Sequence, residues 1–224
     1  MASNHLTNKR NLVTYTNPDS IISEQFRTIR TNIKFSSLGN RSNIIQITSP
    51  NNGDGKTTTA ANLAISMAQH KEKVLLIDAN LRNPAVHLVF KTPNSVGLTT
   101  FLLDTESDLM EIVNHTGIGM LDVLTSGPVP INPSEIIGSP MMNELLTSAA
   151  LSYDCIIIDS PSILEVTDAK ILANFCDSIV LVFNNGKTNM KQAFTTKRIL
   201  GFAENKVVGV ILNDNVRKMK FKVF

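Results

Sequence analysis

The residues best suited to chemistry lie in one stretch, 44–68, which reads IIQITSPNNGDGKTTTAANLAISMA. Ile44, Ile45 and Ile47 form a short apolar run typical of a strand buried on both faces. Turn formers follow from Pro50 to Gly55, and from Lys56 onward Ala60, Leu63, Ala64, Met67 and Ala68 recur at helical spacing. Strand, glycine-containing loop, Gly-Lys-Thr and helix is the layout of a phosphate-binding loop. Gly53 and Gly55 let the backbone approach an anion with no Cβ in the way. Successive N–H groups and the helix N-terminus then face the phosphates. Lys56 can reach the β- and γ-phosphates, and the Thr57 hydroxyl can ligate Mg²⁺. The pattern asks for glycine at position 50, where this chain has Pro50. Taken alone, Gly-Asp-Gly-Lys-Thr would also suit a surface turn. The strand before it and the helix after it favour the nucleotide.

Two acids and an amide complete the candidate set. Val74 to Ile77 form a second buried strand that ends in Asp78, with Asn80 two residues on. If the chain stays extended, Asp78 and Asn80 point the same way. An acid at the carboxyl end of a parallel strand lies where open α/β sheets put their chemistry. There Asp78 can orient Mg²⁺ or take a proton from an attacking hydroxyl. It can equally cap a following helix, although that role explains neither Arg82 nor Pro84. A third buried strand, within YDCIIIDSPS (153–162), ends in Asp159, a natural second acid beside the loop lysine. Asn213 ends the run VVGVIL (207–212) on the same rim and can hydrogen-bond a base.

The elements that must hold these residues alternate. A helix is expected over 21–36, with Ile22, Phe26, Ile29 and Ile33 in one stripe. Glu24, Arg27 and Arg30 fall on its other side, either as an ordinary solvated face or as pairing groups for a neighbouring subunit. Further helices are expected near 97–103, 107–114, 134–149, 165–175 and 188–203, with a strand opening the stretch 121–138 and further strands at 179–183 and 207–212. The loop between the strand at 121 and the next helix is stiffened by Pro128, Pro130 and Pro133. The alternation implies a three-layer α/β fold of the P-loop NTPase kind, with a mostly parallel central sheet flanked by helices. One domain over 19–213 is expected, after a loosely held segment, 1–18. The basic tail 214–224 suits either an added strand or a surface-attracted segment.

Bulk properties exclude other classes. At 224 residues and 42% hydrophobic, the chain can bury a full core. A net charge of +2 does not suit a protein held to nucleic acid by bulk charge. There is no apolar run of transmembrane length, and the first residues lack the apolar core of a secretory signal. Cys155 and Cys176 show no metal-ligand spacing and read as structural thiols in a reducing compartment.

Together the motifs resemble the bacterial tyrosine kinases of polysaccharide export, within the wider MinD/ParA group of P-loop ATPases. The resemblance spans roughly 19–213 and rests on six stretches. These are SEQFRTIRTNIKF (23–35), ITSPNNGDGKTTTAANLA (47–64), VLLIDANLRNP (74–84), LTSGPVPINPSE (124–135), IIIDSP (156–161) and VGVILN (208–213). It implies that Glu24, Arg27 and Arg30 form an oligomerisation motif. It makes Gly53, Asp54, Gly55, Lys56, Thr57 and Thr58 the Walker A loop, Asp78 the first Walker A′ acid and Asp159 the Walker B acid. It further implies an Mg-ATP-dependent kinase that forms a ring in the cytoplasm at the inner face of the membrane. There a membrane chain-length-regulator partner would activate it and protein tyrosines would be its substrates, in capsule or exopolysaccharide synthesis.

Three departures stand out. The second acid of the Walker A′ motif is Asn80, and Asp159 is followed by Ser160-Pro161-Ser162 rather than Thr-Pro-Pro. The family's C-terminal tyrosine cluster has no counterpart after residue 213, and the only tyrosines are Tyr15 and Tyr153. The chain is therefore either a shortened form or one that does not phosphorylate itself in that way. Asn80 and the missing cluster suit a nucleotide-gated assembly or regulatory subunit, while Lys56, Thr57, Asp78 and Asp159 suit the kinase. A MinD/ParA-type positioning ATPase would carry a second lysine where Asn51 stands.

Overall fold

In a computed structural model, residues 12–36, 44–104, 107–214 and 220–222 are described. Strands β1 (Ile44–Thr48), β2 (Val74–Asp78), β4 (Leu121–Leu124), β5 (Cys155–Asp159), β6 (Ser178–Asn184) and β7 (Val207–Asn213) are rich in Ile, Val and Leu. They are buried on both faces for most of their length, as parallel strands between helix layers must be. With β3 (Asn114–His115) and β8 (Lys220–Lys222) they form one sheet in the order β3-β4-β2-β5-β1-β6-β7-β8. The six inner strands pair in parallel, and the two edge strands are antiparallel to their neighbours. The tail is thus an added strand on β7.

Helices cover both faces. On one side lie α1 (Val13–Thr16), α2 (Ile21–Ser36), α3 (Lys56–Ala68) and α4 (Val86–Phe90), packed around Phe26, Ile29, Ile33, Leu63 and Ile65. On the other lie α5 (Leu98–Leu103), α6 (Leu109–Ile112), α7 (Pro133–Ile137), α8 (Pro140–Ser152) and α9 (Asp168–Phe175). Their core includes Leu98, Met142, Leu145 and Leu172 against β2, β4 and β5. The helix α10 (Met190–Ile199) and a 3-10 segment (Leu200–Lys206) lead into β7. This is the expected three-layer α/β architecture.

Three expectations needed adjustment. The helix expected over 134–149 is two helices, because Pro140 has no N–H to continue from α7 and starts α8 instead. The helix expected near 188–203 tightens into 3-10 geometry after Ile199. The third concerns the start of the chain, where residues 12–16 are docked rather than loose. Thr14 is fully buried, its N–H and hydroxyl donating to Asn62 Oδ1 at 3.0 and 2.9 Å, while Gln69 donates to the Thr14 carbonyl at 3.1 Å. Composition hid this because the anchoring is polar and its partners lie on α3, far away in sequence.

Candidate active site

The loop between β1 and α3 is shaped by its two glycines. Gly53 and Gly55 have φ of +80° and +98°, a left-handed conformation that side chains disfavour. At Gly55 a Cβ would also lie 2.1 Å from Asn213 Nδ2. Thr59 N–H makes the first helical bond, to the Gly55 carbonyl, so the N–H groups of Lys56, Thr57 and Thr58 precede the helical ladder. That end of α3 is an anion-binding frame.

The rest of the loop is tied down from four directions. Asp54 is buried, and its Oδ2 accepts from Asn51 N–H at 2.9 Å and from the Thr188 hydroxyl at 3.4 Å. Gln192 of α10 donates to Asn51 Oδ1 at 2.8 Å, and Asn52 N–H donates to Glu165 at 2.7 Å. Asn213 donates to the Asp54 carbonyl at 2.9 Å. At the loop entrance, Ile163 and Leu164 donate to the carbonyls of Ser49 and Pro50, at 2.9 and 3.3 Å. Asp54 is therefore turned into the loop, and Asn213 holds the loop by its amide.

The acids meet where the sequence places them. β2 and β5 are neighbours, and Asp78 and Asp159 are register partners at the ends of these strands. Both are fully buried. Burial raises the pKa of each; for Asp159 the neighbouring Asp78 charge adds to this, against Thr57 and Lys56. Asp78 Oδ2 accepts from Ala85 and Val86 N–H at 2.9 Å each and Oδ1 from Asn80 N–H at 3.2 Å. The capping role is realised, at α4. Asp159 Oδ2 accepts from the Thr57 hydroxyl at 2.6 Å, while Asp159 Oδ1 is buried with no partner among the described residues. Lys56 is 5% exposed and donates to the Ser162 hydroxyl at 3.0 Å; burial lowers its pKa, with Asp159 and Asp54 opposing.

An orphaned carboxylate oxygen beside a threonine hydroxyl and a lysine fits a hard divalent cation. Among the described residues there is no cluster of three or more His, Cys, Asp or Glu, so no all-protein cage exists there. That suits Mg²⁺, which keeps waters and takes substrate phosphates as ligands.

The AAA domain family model matches residues 42–193. The tyrosine-protein kinase YwqD of Bacillus subtilis (strain 168) is 48% identical over 205 residues, covering 92% of this chain and 86% of its own. The chain belongs to the bacterial tyrosine-protein kinase family. Among solved structures, the chimerical protein CapA2B2 superposes with a TM-score of 0.87 at 38% identity, covering 93% of this chain and 91% of the other. The septum site-determining protein MinD of Pyrococcus horikoshii OT3, solved with Mg-ADP, gives 0.64 at 26% identity over 79% of this chain and 72% of the other.

Within this kinase several contacts were not legible beforehand. Arg82, unexplained in the sequence, makes a two-pronged contact with the fully buried Asp168, Nε to Oδ2 at 2.8 Å and Nη2 to Oδ1 at 3.1 Å. Ser134 donates to the same carboxylate and accepts from Arg82 at 3.0 Å. The network joins the loop after β2 to the starts of α7 and α9. Asp168 opens a helix, which was the one local signal available. Ser162, noted only as a departure in the motif, is the partner of the loop lysine.

Two anticipated groupings differ. Asn80 meets Asp78 through its backbone N–H, while its side-chain Nδ2 donates to the Asn83 carbonyl at 3.0 Å within a turn. Of the three motif residues on α2, Glu24 and Arg27 face outward and pair with each other at 2.5 Å. Arg30 instead reaches inward to the Ser66 carbonyl of α3, also at 2.5 Å. Among the described residues no helix is long and apolar enough to cross a membrane.

Proposed function

We propose that this kinase transfers the γ-phosphoryl group of ATP to protein tyrosines, in a pathway of capsular or exopolysaccharide synthesis. It would work in the cytoplasm at the inner face of the membrane, under a chain-length-regulator partner. The observation that carries the reading is the meeting of Lys56, Thr57 and Asp159 at the mouth of a left-handed glycine loop. In this reading Gly53 to Thr58 and Asn213 hold the nucleotide, and Lys56 moves from Ser162 to the β- and γ-phosphates. Thr57 and Asp159 hold Mg²⁺, with Asp78 behind them. When bound, Mg²⁺ held by Thr57 and Asp159 would offset charge developing in the transfer. Lys56 carries the remaining charge, and the preset amides need no reorganisation. Asp78 has both oxygens engaged by backbone donors and is suited to orienting the site. Incubation with Mg-ATP, a tyrosine polymer and the partner's cytoplasmic tail tests the reading. Phosphotyrosine on the polymer is the expected result, and nucleotide hydrolysis without it would sink the proposal.

A second reading, a nucleotide-gated regulatory subunit of low activity, is favoured by Asn80, whose side chain is engaged in a turn. An acid there would bring a third carboxylate near Asp78, whose Oδ1 accepts from the N–H of residue 80. Asn80→Asp should lower the melting temperature in chelator and tighten the Mg²⁺ dependence of transfer, by about 10–100-fold if position 80 lies in the outer metal shell. An unchanged Mg²⁺ titration would remove position 80 from the metal environment.

The homo-oligomeric ring is proposed to use Glu24 and Arg27 as surface groups, with Arg30 acting through α3. Replacing Glu24 and Arg27 with Ala should give monomers of unchanged melting temperature by light scattering. Arg30→Ala should instead lower the melting temperature, because the Ser66 carbonyl loses its donor. Equal loss of stability in both variants would contradict this division.

A further inference from the structure

The two tyrosines are treated in opposite ways by the fold. Tyr153 is 6% exposed, its hydroxyl donates to Asp122 Oδ2 at 2.9 Å, and burial beside that carboxylate pushes its pKa up. It can neither approach a γ-phosphate nor ionise readily. Tyr15 is 53% exposed. It is not on a loose end, since Thr14 before it is locked to Asn62 and Gln69, and the Thr16 hydroxyl after it donates to the Leu12 carbonyl at 3.1 Å. The Tyr15 ring borders a groove of about 220 Å³, lined also by Leu12, Phe90, Ile118 and Lys91. Lys91, exposed and at φ 58°, ends α4 there.

We propose that Tyr15 is a phosphorylation site, modified in trans by a second copy of this chain. The inference rests on the kinase reading above. A second copy is favoured as the donor by the anchor: Asn62 and Gln69, which hold Thr14, lie six and 13 residues beyond Lys56 along the same helix and its C-cap, or ~9 and ~20 Å at the rise of an α-helix, so the backbone at Tyr15 is fixed partway along α3 and away from the loop. In the step, the bond between the γ-phosphorus and the bridging oxygen of ATP breaks, its electron pair leaving with ADP. A bond forms from Tyr15 Oη to phosphorus, and the phenolic proton is lost to solvent. The product carries roughly −1.5 to −2 charge and three strong acceptors. Lys91 supplies a cation at the same groove, and Leu12, Phe90 and Ile118 supply apolar surface for the ring. A fixed backbone, an exposed phenol and a neighbouring ammonium are the features of a phosphate-accepting position that the folded chain can retain.

The test mixes full-length Lys56→Met chain, as acceptor only, with an active Tyr15→Phe chain, γ-labelled Mg-ATP and a glutamate–tyrosine polymer as reporter. Label is expected on the Lys56→Met chain, mapped by peptide mass spectrometry to Tyr15 and lost when Tyr15→Phe is added to that chain. The polymer should be labelled throughout. A labelled polymer with no phosphate on Tyr15, or with phosphate on Tyr153 instead, would overturn this proposal and leave the kinase reading standing. Absence of label on both polymer and chain would overturn both.

Discussion

Lys56→Met is expected to remove phosphoryl transfer while leaving the fold in place. Lys56 is the one buried ammonium at the loop, and methionine fills a similar volume without charge. Its burial already disfavours the ammonium, so the folded state loses little when the charge goes. The transition state loses far more, because among the described residues Lys56 is the buried cation at the loop that can face charge on the transferring group. Removing one preset donor of this kind typically costs ~10²–10³-fold in rate, and a full charge belongs at the upper end or beyond. Single-turnover transfer to a tyrosine polymer, alongside thermal melting, separates the two effects. Turnover within a few-fold of the unaltered chain would place the chemistry elsewhere.

The second large effect is on stability. Arg82→Ala should destabilise the protein more than Asp168→Asn. Asp168 is fully buried, and without Arg82 its carboxylate keeps only the Ser134 hydroxyl and its own helix start. Breaking a buried pair so that a charge is left behind costs about 3–5 kcal/mol. The Arg82 side chain is 42% exposed and Ser134 remains, so ~2–4 kcal/mol is the expected loss. In Asp168→Asn the group left without a charged partner is Arg82, which water can reach, and asparagine keeps one acceptor. About 1 kcal/mol is expected there. Urea unfolding at neutral pH decides the order. Equal costs would mean that the order is not set by which partner is left buried. Because the network ties the loop after β2, which follows Asp78, to the starts of α7 and α9, Arg82→Ala should also slow transfer with the nucleotide affinity little changed.

The sheet and the position of the loop were legible because their signals are local. Short apolar runs such as Val74–Asp78 and Cys155–Asp159, bounded by turn formers, read as strands buried on both faces, and Gly53 and Gly55 between such a strand and a helix read as a turn that brings backbone to an anion. The stripe Ile22, Phe26, Ile29 and Ile33 specified α2 for the same reason. The meeting of Asp78 with Asp159 was within reach too, since parallel strands put their carboxyl ends on one rim, although their direct register was not.

What the sequence left open were contacts between polar groups far apart in the chain. Arg82 with Asp168, Lys56 with Ser162, Thr14 with Asn62 and Gln192 with Asn51 leave no periodic trace. Nothing in the spacing of Glu24, Arg27 and Arg30 shows that the third turns toward Ser66 while the first two face outward. Hydrophobic pattern is a property of each segment, because burial is shared by every residue on a face. A hydrogen bond is a property of two atoms at one distance, and only the packed layers bring those atoms together. The residue types of the chemistry were therefore set by the sequence alone, and their orientation was decided by the tertiary structure.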